Sequence, residues 1–254
     1  MNYLLMVCSD GVPTDEKAAA MEREIPAWLE SLSRRGADVY GHVLKPASAA
    51  RTVRVRDGET LVSDGPFAET KEFIGGFDII DCADLDEAIA IAAEHPVARF
   101  HAVEVRPFLR RGDDQGPTVC DPGPADAAVA TMLRAPIADG ARRFLLLMCL
   151  DGIPESDAEE AAIERDIGSW AQETERQGAA RYGHALAGAA TATTVRVRDG
   201  ETLLTDGPFA ETKEYVGGFD IIDCADVDEA IAVAARHPLA RYHCVEVREF
   251  ADED

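Results

Sequence analysis

The sequence predicts an α+β protein made of two ferredoxin-like (split βαβ) domains that pair as a pseudo-dimer of the α/β-barrel type. Three observations predict it. The stretch Thr52 to Val105 recurs without a gap as Thr194 to Val247, with ten differences in 54 positions. Within each copy, apolar runs and helical stripes follow the order β α β, hairpin, β α β, which is the split βαβ order. That order places both helices on one sheet face and leaves the other bare, so two copies packed face to face would bury what each exposes and enclose room for a small ligand. The division is 1–109 for the first domain, 110–141 for a linker with a short helix, and 142–254 for the second domain.

Each element has a local cause. Tyr3 to Cys8 is an apolar run short enough for a buried strand, and SDGVP after it is a turn. Glu16 to Arg35 carries a helical stripe through Ala20, Met21, Ile25, Trp28, Leu29 and Leu32, with Gly36 at the C-cap and Pro26 as the expected site of a kink or break. Val39 to Leu44 is a second strand. TVRVR at Thr52 alternates as a half-exposed strand does, and Asp57-Gly58 is a hairpin turn that joins it to ETLVS. After DGPFAETKE, the run GGFDIIDC is a strand opened by two glycines; Asp84 then N-caps a helix that stops before Pro96. Arg99 to Arg106 closes the repeat as a strand. In the linker, Ala125 to Leu133 follows Pro124 as an alanine-rich helix. Most of the ten differences exchange apolar side chains of similar volume, including Val62/Leu204, Ile74/Val216 and Ile91/Val233, and so mark expected core positions. The amino-terminal parts match more loosely, with Trp28, Gly41 and His42 recurring as Trp170, Gly183 and His184.

Composition narrows the function. Apolar residues at 46% and charged residues at 29% suit a folded soluble chain, and no run approaches the roughly 18 apolar residues of a membrane span. The start, MNYLLMVCSDG, lacks the basic region of a secretory signal, so a cytoplasmic location is expected. Six cysteines without a CxxC pair read as buried reduced thiols. A net charge of −23 repels phosphate backbones and anionic membranes, so neither nucleic acid nor membrane is an expected partner. The chain has no phosphate-binding glycine loop, dinucleotide fingerprint, nucleophile elbow or zinc helix, so no cofactor or metal is expected.

The six histidines form three matched pairs. His42 and His184, within YGH on the second strand, are candidate proton carriers, since a neutral imidazole near a carboxylate moves protons near pH 7; the competing reading is a polar residue at a strand end. Asp64 and Asp206 are candidates to orient them, against the competing role of accepting local hydrogen bonds in a turn. His101 and His243, placed on the face of Val103 and Val105, are candidate ligand contacts. Lys71 and Lys213, two of only four lysines, are further candidates, because a lysine in a cavity would hold an anionic group. His95 and His237 precede proline at a helix C-terminus and read as structural, with an imidazolium meeting the helix dipole. Phe67 and Phe209 read as anchors of their loops.

In this order, ATTVRVRDG at Ala192, DGPFAETKE, GGFDIIDC, DEAI and VEVR resemble the DGPF subfamily of the YCII-related (YciI-like) proteins over nearly all of both copies. The resemblance implies a ferredoxin-like domain that dimerises as an α/β barrel, here fused in one polypeptide and open to further oligomerisation. It implies less about chemistry. Members are largely uncharacterised, a His-Asp pair in a cleft is proposed as catalytic, relatives include a dehydrochlorinase of aromatic degradation, and genes often neighbour extracytoplasmic sigma factors. The family's histidine stands in the first helix, where this chain has Ile25 and Ile167, so that assignment does not carry over. Binding of a small organic molecule, with cofactor-free isomerase- or lyase-like acid/base chemistry, is one expectation. The others are a regulatory or interaction module acting with an extracytoplasmic-function sigma factor, and a structural remnant.

Overall fold

The computed structural model describes residues 1–9, 11, 15–67, 73–110, 124–151, 157–209 and 214–252. The first repeat runs β1 (Asn2–Ser9), α1 (Asp15–Arg35), β2 (Asp38–Val43), β3 (Arg51–Arg56), β4 (Glu59–Asp64), β5 (Phe73–Asp81), α2 (Leu85–Glu94) and β6 (Ala102–Pro107). The linker contributes α3 (Ala127–Leu133). The second repeat runs β7 (Arg142–Leu150), α4 (Asp157–Arg176), β8 (Ala180–Ala185), β9 (Thr193–Arg198), β10 (Glu201–Asp206), β11 (Tyr215–Cys224), α5 (Val227–Arg236), the one-turn α6 (Leu239–Tyr242) and β12 (Cys244–Glu249). None of the described helices is long and apolar enough to cross a membrane.

Local signals act as the sequence predicts at most ends. Gly36 takes φ +69° after α1, and Asp57 and Gly58 both take positive φ, the conformation a two-residue hairpin turn requires. Asp84 accepts the Glu87 N–H at 3.0 Å at the start of α2, whereas α3 begins two residues later than expected, at Ala127, where Asp126 caps it. At Pro26 no break occurs, since α1 runs through it as one helix. An interior proline costs about 3 kcal/mol. Trp28 and Leu32, both buried against the sheet, offset it.

In space, with its hairpin set aside, each repeat orders its four remaining strands fourth, first, third, second: β6-β1-β5-β2 and β12-β7-β11-β8, all antiparallel. The hairpins do not stay at home. β9–β10 adds to β6 of the first repeat through Val103–Val195, and β3–β4 adds to β12 of the second through Val245–Val53, giving two six-stranded sheets. An alternating pattern specifies a strand but not which sheet edge it joins, so TVRVR is silent on this exchange. Arginine fastens it: Arg56 donates to the carbonyls of Ala240 and Arg241 at 2.9 Å and of His243 at 3.1 Å, while Arg198 does the same to Ala98 at 2.8 Å and His101 at 3.1 Å. Each guanidinium thereby satisfies carbonyls left over where a short helical turn of the other repeat ends.

The packing is layered. One cluster of buried side chains joins the inner faces of both sheets, and two further clusters lie between each sheet and its own helices. Between the sheets, Leu44 bridges to Phe250 and Phe108 to Leu186. α3 places Ala130 and Leu133 in the inner cluster near the start of β1, held by Asn2, which exchanges two hydrogen bonds with Ala125, and by Arg143, which donates to the Leu133 carbonyl. Val62 and Leu204 depart from the expected core: they are 46% and 52% exposed on the edge strands β4 and β10, where no layer covers them. The described cysteines are all buried, as expected; Cys120 lies outside the described residues.

Candidate functional site

β6 and β12 each read Val-Glu-Val-Arg, and the valines face the helices. Side chains alternate along a strand, so Glu104, Arg106, Glu246 and Arg248 must point into the space between the sheets, where all are 5% exposed or less. Charge buried so deeply needs partners. Arg106 lies 3.3 Å from Glu104 and Arg248 3.1 Å from Glu246; each guanidinium also donates across to the other repeat, to the carbonyls of Ala187 at 2.7 Å and Lys45 at 3.0 Å. Burial pulls the Arg106 guanidinium downward, with Glu104 opposing.

The free oxygens of these glutamates hold the DGPF turns. Phe209 N–H donates to Glu104 Oε2 at 2.8 Å and Phe67 N–H to Glu246 Oε2 at 3.0 Å. Gly65 and Gly207 adopt φ +92° and +95°, which only glycine takes without strain, and Thr52 and Thr194 each donate to the glycine carbonyl at 3.0 Å. Every DGPF turn is thus docked by its backbone onto the VEVR strand of the other repeat.

Where the two docked turns meet, they frame a partly open cavity of about 50 Å³. It is lined by Pro66-Phe67 and Pro208-Phe209 of the two turns, by the apolar Met6, Cys8, Ile74 and Val216, and by Glu104, Glu214 and Glu246. It lies toward the Cys8 end of β1, whereas α3 lies at the Asn2 end, about 20 Å away at about 3.3 Å per residue.

The residues singled out from sequence are placed as follows. His42 and His184 stand on the inner side of β2 and β8, stacked on Phe250 and Phe108 with ring centres 4.6 and 4.5 Å apart, and each donates from Nδ1 to the next carbonyl, of Val43 and Ala185, at 2.8 Å. Asp64 is an 88% exposed side chain 3.2 Å from Arg51, and Asp206 is exposed at the end of β10. None of the four is among the described residues that line the cavity. His101 and His243 precede β6 and β12; Val103 and Val105, whose face they were expected to share, turn toward the helices. His101 Nδ1 lies 3.3 Å from Ser9 Oγ, and His243 Nδ1 lies 2.5 Å from Asp151 Oδ1, a hydrogen bond that holds the Asp151 carboxyl below the usual range. Lys71 and Lys213 lie outside the described residues.

A second polar constellation sits under the helices in both repeats. His95 Nδ1 accepts the Val97 N–H at 3.1 Å and His237 Nδ1 the Leu239 N–H at 3.2 Å, so Nε2 carries the proton; it faces Asp78 at 3.7 Å and Asp220 at 3.9 Å. The rings meet Trp28 and Trp170 edge-on at 4.4 and 4.5 Å. Burial lowers His95 to about 4 and His237 to about 3, and raises Asp78 to about 7, with Asp38 adding to the rise, and Asp220 to about 8. The structural role expected of these histidines holds, but as neutral acceptors: an imidazolium at the helix end would be charge without water. Gly41 and Gly183 make room, since a Cβ there would overlap the Asp78 or Asp220 carboxylate.

Glu104, Arg106, Glu246 and Arg248 were not singled out from sequence. The signal was present in VEVR: its valines suffice to pack against the predicted helices, which turns both charges toward the bare face that the second copy must cover.

The family described as "YCII-related domain" matches residues 1–110 and 145–253. An uncharacterized protein of Rhizobium meliloti (strain 1021) is 53% identical over 114 residues, covering 42% of this chain and 92% of that protein. The crystal structure described as "Putative Chlorite dismutase TA0507" aligns over 99% of this chain and 94% of its own at 9% identity and a TM-score of 0.44.

Proposed function

Because this chain belongs to the YCII-related domain family in both of its halves, we propose that it is a fused pair of such domains that close a barrel around one shared cavity and bind the apolar end of a small organic molecule there. The Leu44–Phe250 and Phe108–Leu186 bridges favour closure, since each joins an edge strand of one sheet to the strand end of the other. The reciprocal docking of both DGPF turns favours the DGPF subfamily, because it gives the motif a task that needs two copies.

The observation that carries the binding role is the cavity, with the Pro-Phe of each motif in its lining. Its roughly 50 Å³ holds a few waters, well below the ~150 Å³ that admits a benzene ring, so only the end of a ligand enters while the rest lies in the mouth. Glu104 and Glu246 are compensated by Arg106 and Arg248, which leaves Glu214 in the lining and the net charge of −23 to favour a neutral or cationic molecule over an anion. Acid/base chemistry at His42 and His184 would require a ligand long enough to reach the Phe250 and Phe108 rings on which they stack.

Thermal shift with short-chain alcohols, amines, phenols and benzoates tests this reading. A neutral or cationic member at about one hundred times its Kd adds about 2.7 kcal/mol of stability. Ile74→Phe, which fills the cavity wall, should abolish the shift. No shift with any member, or a shift that survives Ile74→Phe, overturns the reading.

A further inference from the structure

We propose that Cys149 and Cys244 form a redox-active dithiol that small hydroperoxides oxidise to a cross-strand disulfide. The two cysteines are direct register partners on β7 and β12, and both side chains belong to the cluster between the sheets. Directly opposed residues in an antiparallel pair have Cα atoms about 4.5 or 5.5 Å apart, within the roughly 4.4–6.8 Å that a disulfide spans. Cys244 Sγ already lies 3.8 Å from the Cys149 carbonyl. Cβ atoms of directly opposed residues stand about 4.5–5.5 Å apart, slightly wider than the roughly 3.8 Å of a relaxed disulfide, so a bond at this register would be strained and readily reduced, as regulatory and catalytic disulfides are.

The dithiol adjoins the cavity. Val216, the register partner of Cys149, lines it, as does Glu246, two residues beyond Cys244 on the same face of β12. A hydroperoxide headgroup is small enough for that space. Cys244 is the better nucleophile: its neighbour Cys149 and Arg54, from the exchanged hairpin, hold its pKa below the ordinary value, while burial pushes Cys149 up, whose thiol donates to the Leu147 carbonyl at 3.4 Å. In the first step the Cys244 sulfur attacks the terminal peroxide oxygen; the S–O bond forms as O–O breaks, the thiol proton goes to the departing alkoxide, and Cys244 becomes a sulfenic acid with release of an alcohol. The Cys149 sulfur then attacks that sulfur, the S–S bond forms, and the hydroxyl leaves as water with the Cys149 proton. Two thiols give up two electrons, the peroxide accepts them, and a dithiol reductant restores the pair by exchange.

The first repeat supplies the control, since Cys8, which lines the cavity, has Ala102 as its register partner. The test treats the full chain with a small excess of hydrogen peroxide, alkylates it under denaturing conditions and maps its peptides by mass spectrometry. Cys149 and Cys244 should be lost from the alkylatable pool together, joined in one cross-linked peptide pair that dithiothreitol separates. Cys244→Ala installs the residue that the first repeat carries and should abolish the cross-link; Cys149→Ala should leave a Cys244 sulfenic acid that dimedone traps. Retention of both thiols in the wild type, a cross-link through any other cysteine, or unchanged loss of the Cys149 thiol in Cys244→Ala would overturn the assignment. Ligand binding plays no part in this test, so its outcome is independent of the thermal-shift result.

Discussion

Removing one carboxylate from the buried lock should cost more than any surface change in this chain. In Glu246→Ala, the Arg248 guanidinium stays 1% exposed with its 3.1 Å partner gone, and the Phe67 N–H loses its acceptor. Stripping one member from a buried ion pair costs about 3–5 kcal/mol, because the remaining charge, here held only by the Lys45 carbonyl, has neither water nor a counter-charge. At about 2–4 °C per kcal/mol for a chain of this size, the melting temperature should fall by about 6–20 °C. Calorimetry at neutral pH measures it. The double variant Glu246→Ala/Arg248→Ala removes the stranded charge and should regain more than half of the loss relative to the single. Glu104→Ala should behave like Glu246→Ala, since Arg106 is equally buried at 3.3 Å. A Glu246→Ala protein that melts within about 2 °C of the wild type, or a double variant no better than the single, would show that the pairs are not strongly coupled.

Gly41→Ala and Gly183→Ala should each lower stability by about 1–3 kcal/mol, as overpacked sites do, because the new methyl overlaps the carboxylate of Asp78 or Asp220; urea unfolding that matches the wild type would refute this. The same carboxylates predict a pH trend. With folded values near 7 and 8 against an ordinary 3.8, Asp78 and Asp220 contribute stability that is complete below pH 3.8 and lost as pH rises through those values. His95 and His237, near 4 and 3 against 6.5, contribute oppositely: their share is complete above pH 6.5 and lost as pH falls through 4 and 3. The two trends oppose one another below pH 6.5, and the carboxyls act alone above it, so stability should decline from pH 6.5 to 8. Asp78→Asn/Asp220→Asn should flatten that decline; urea midpoints with an unchanged slope would sink the explanation.

Much of the fold was legible because its causes are local. A glycine after α1, an aspartate cap at Asp84 and an Asp-Gly hairpin each act within a few residues, and the repeat required only that the chain be compared with itself. What escaped is non-local. TVRVR has the same alternation whether it pairs within its repeat or beyond it, and β4 keeps an apolar pair, Leu61 and Val62, that would suggest a core but lies exposed. Histidine attracted functional weight because its ordinary pKa lies near 7, yet two of the glutamates lining the described cavity, Glu104 and Glu246, are already committed to backbone N–H groups, and no histidine is among its described lining. The DGPF motif looked like a turn and is one; that its phenylalanine N–H needs an acceptor from the other copy follows only once the sheets face each other.

The exchanged hairpins have an evolutionary consequence. In a symmetric homodimer, every substitution falls on both walls of a shared cavity at once, so one wall can never change alone. Here a single codon alters a single wall, and the two walls already differ, with Ile74 in the place that Val216 takes in the second repeat and Phe73 in that of Tyr215. Covalent linkage therefore gives this cavity a freedom that two identical subunits lack: it can become specific for a molecule that has no symmetry of its own.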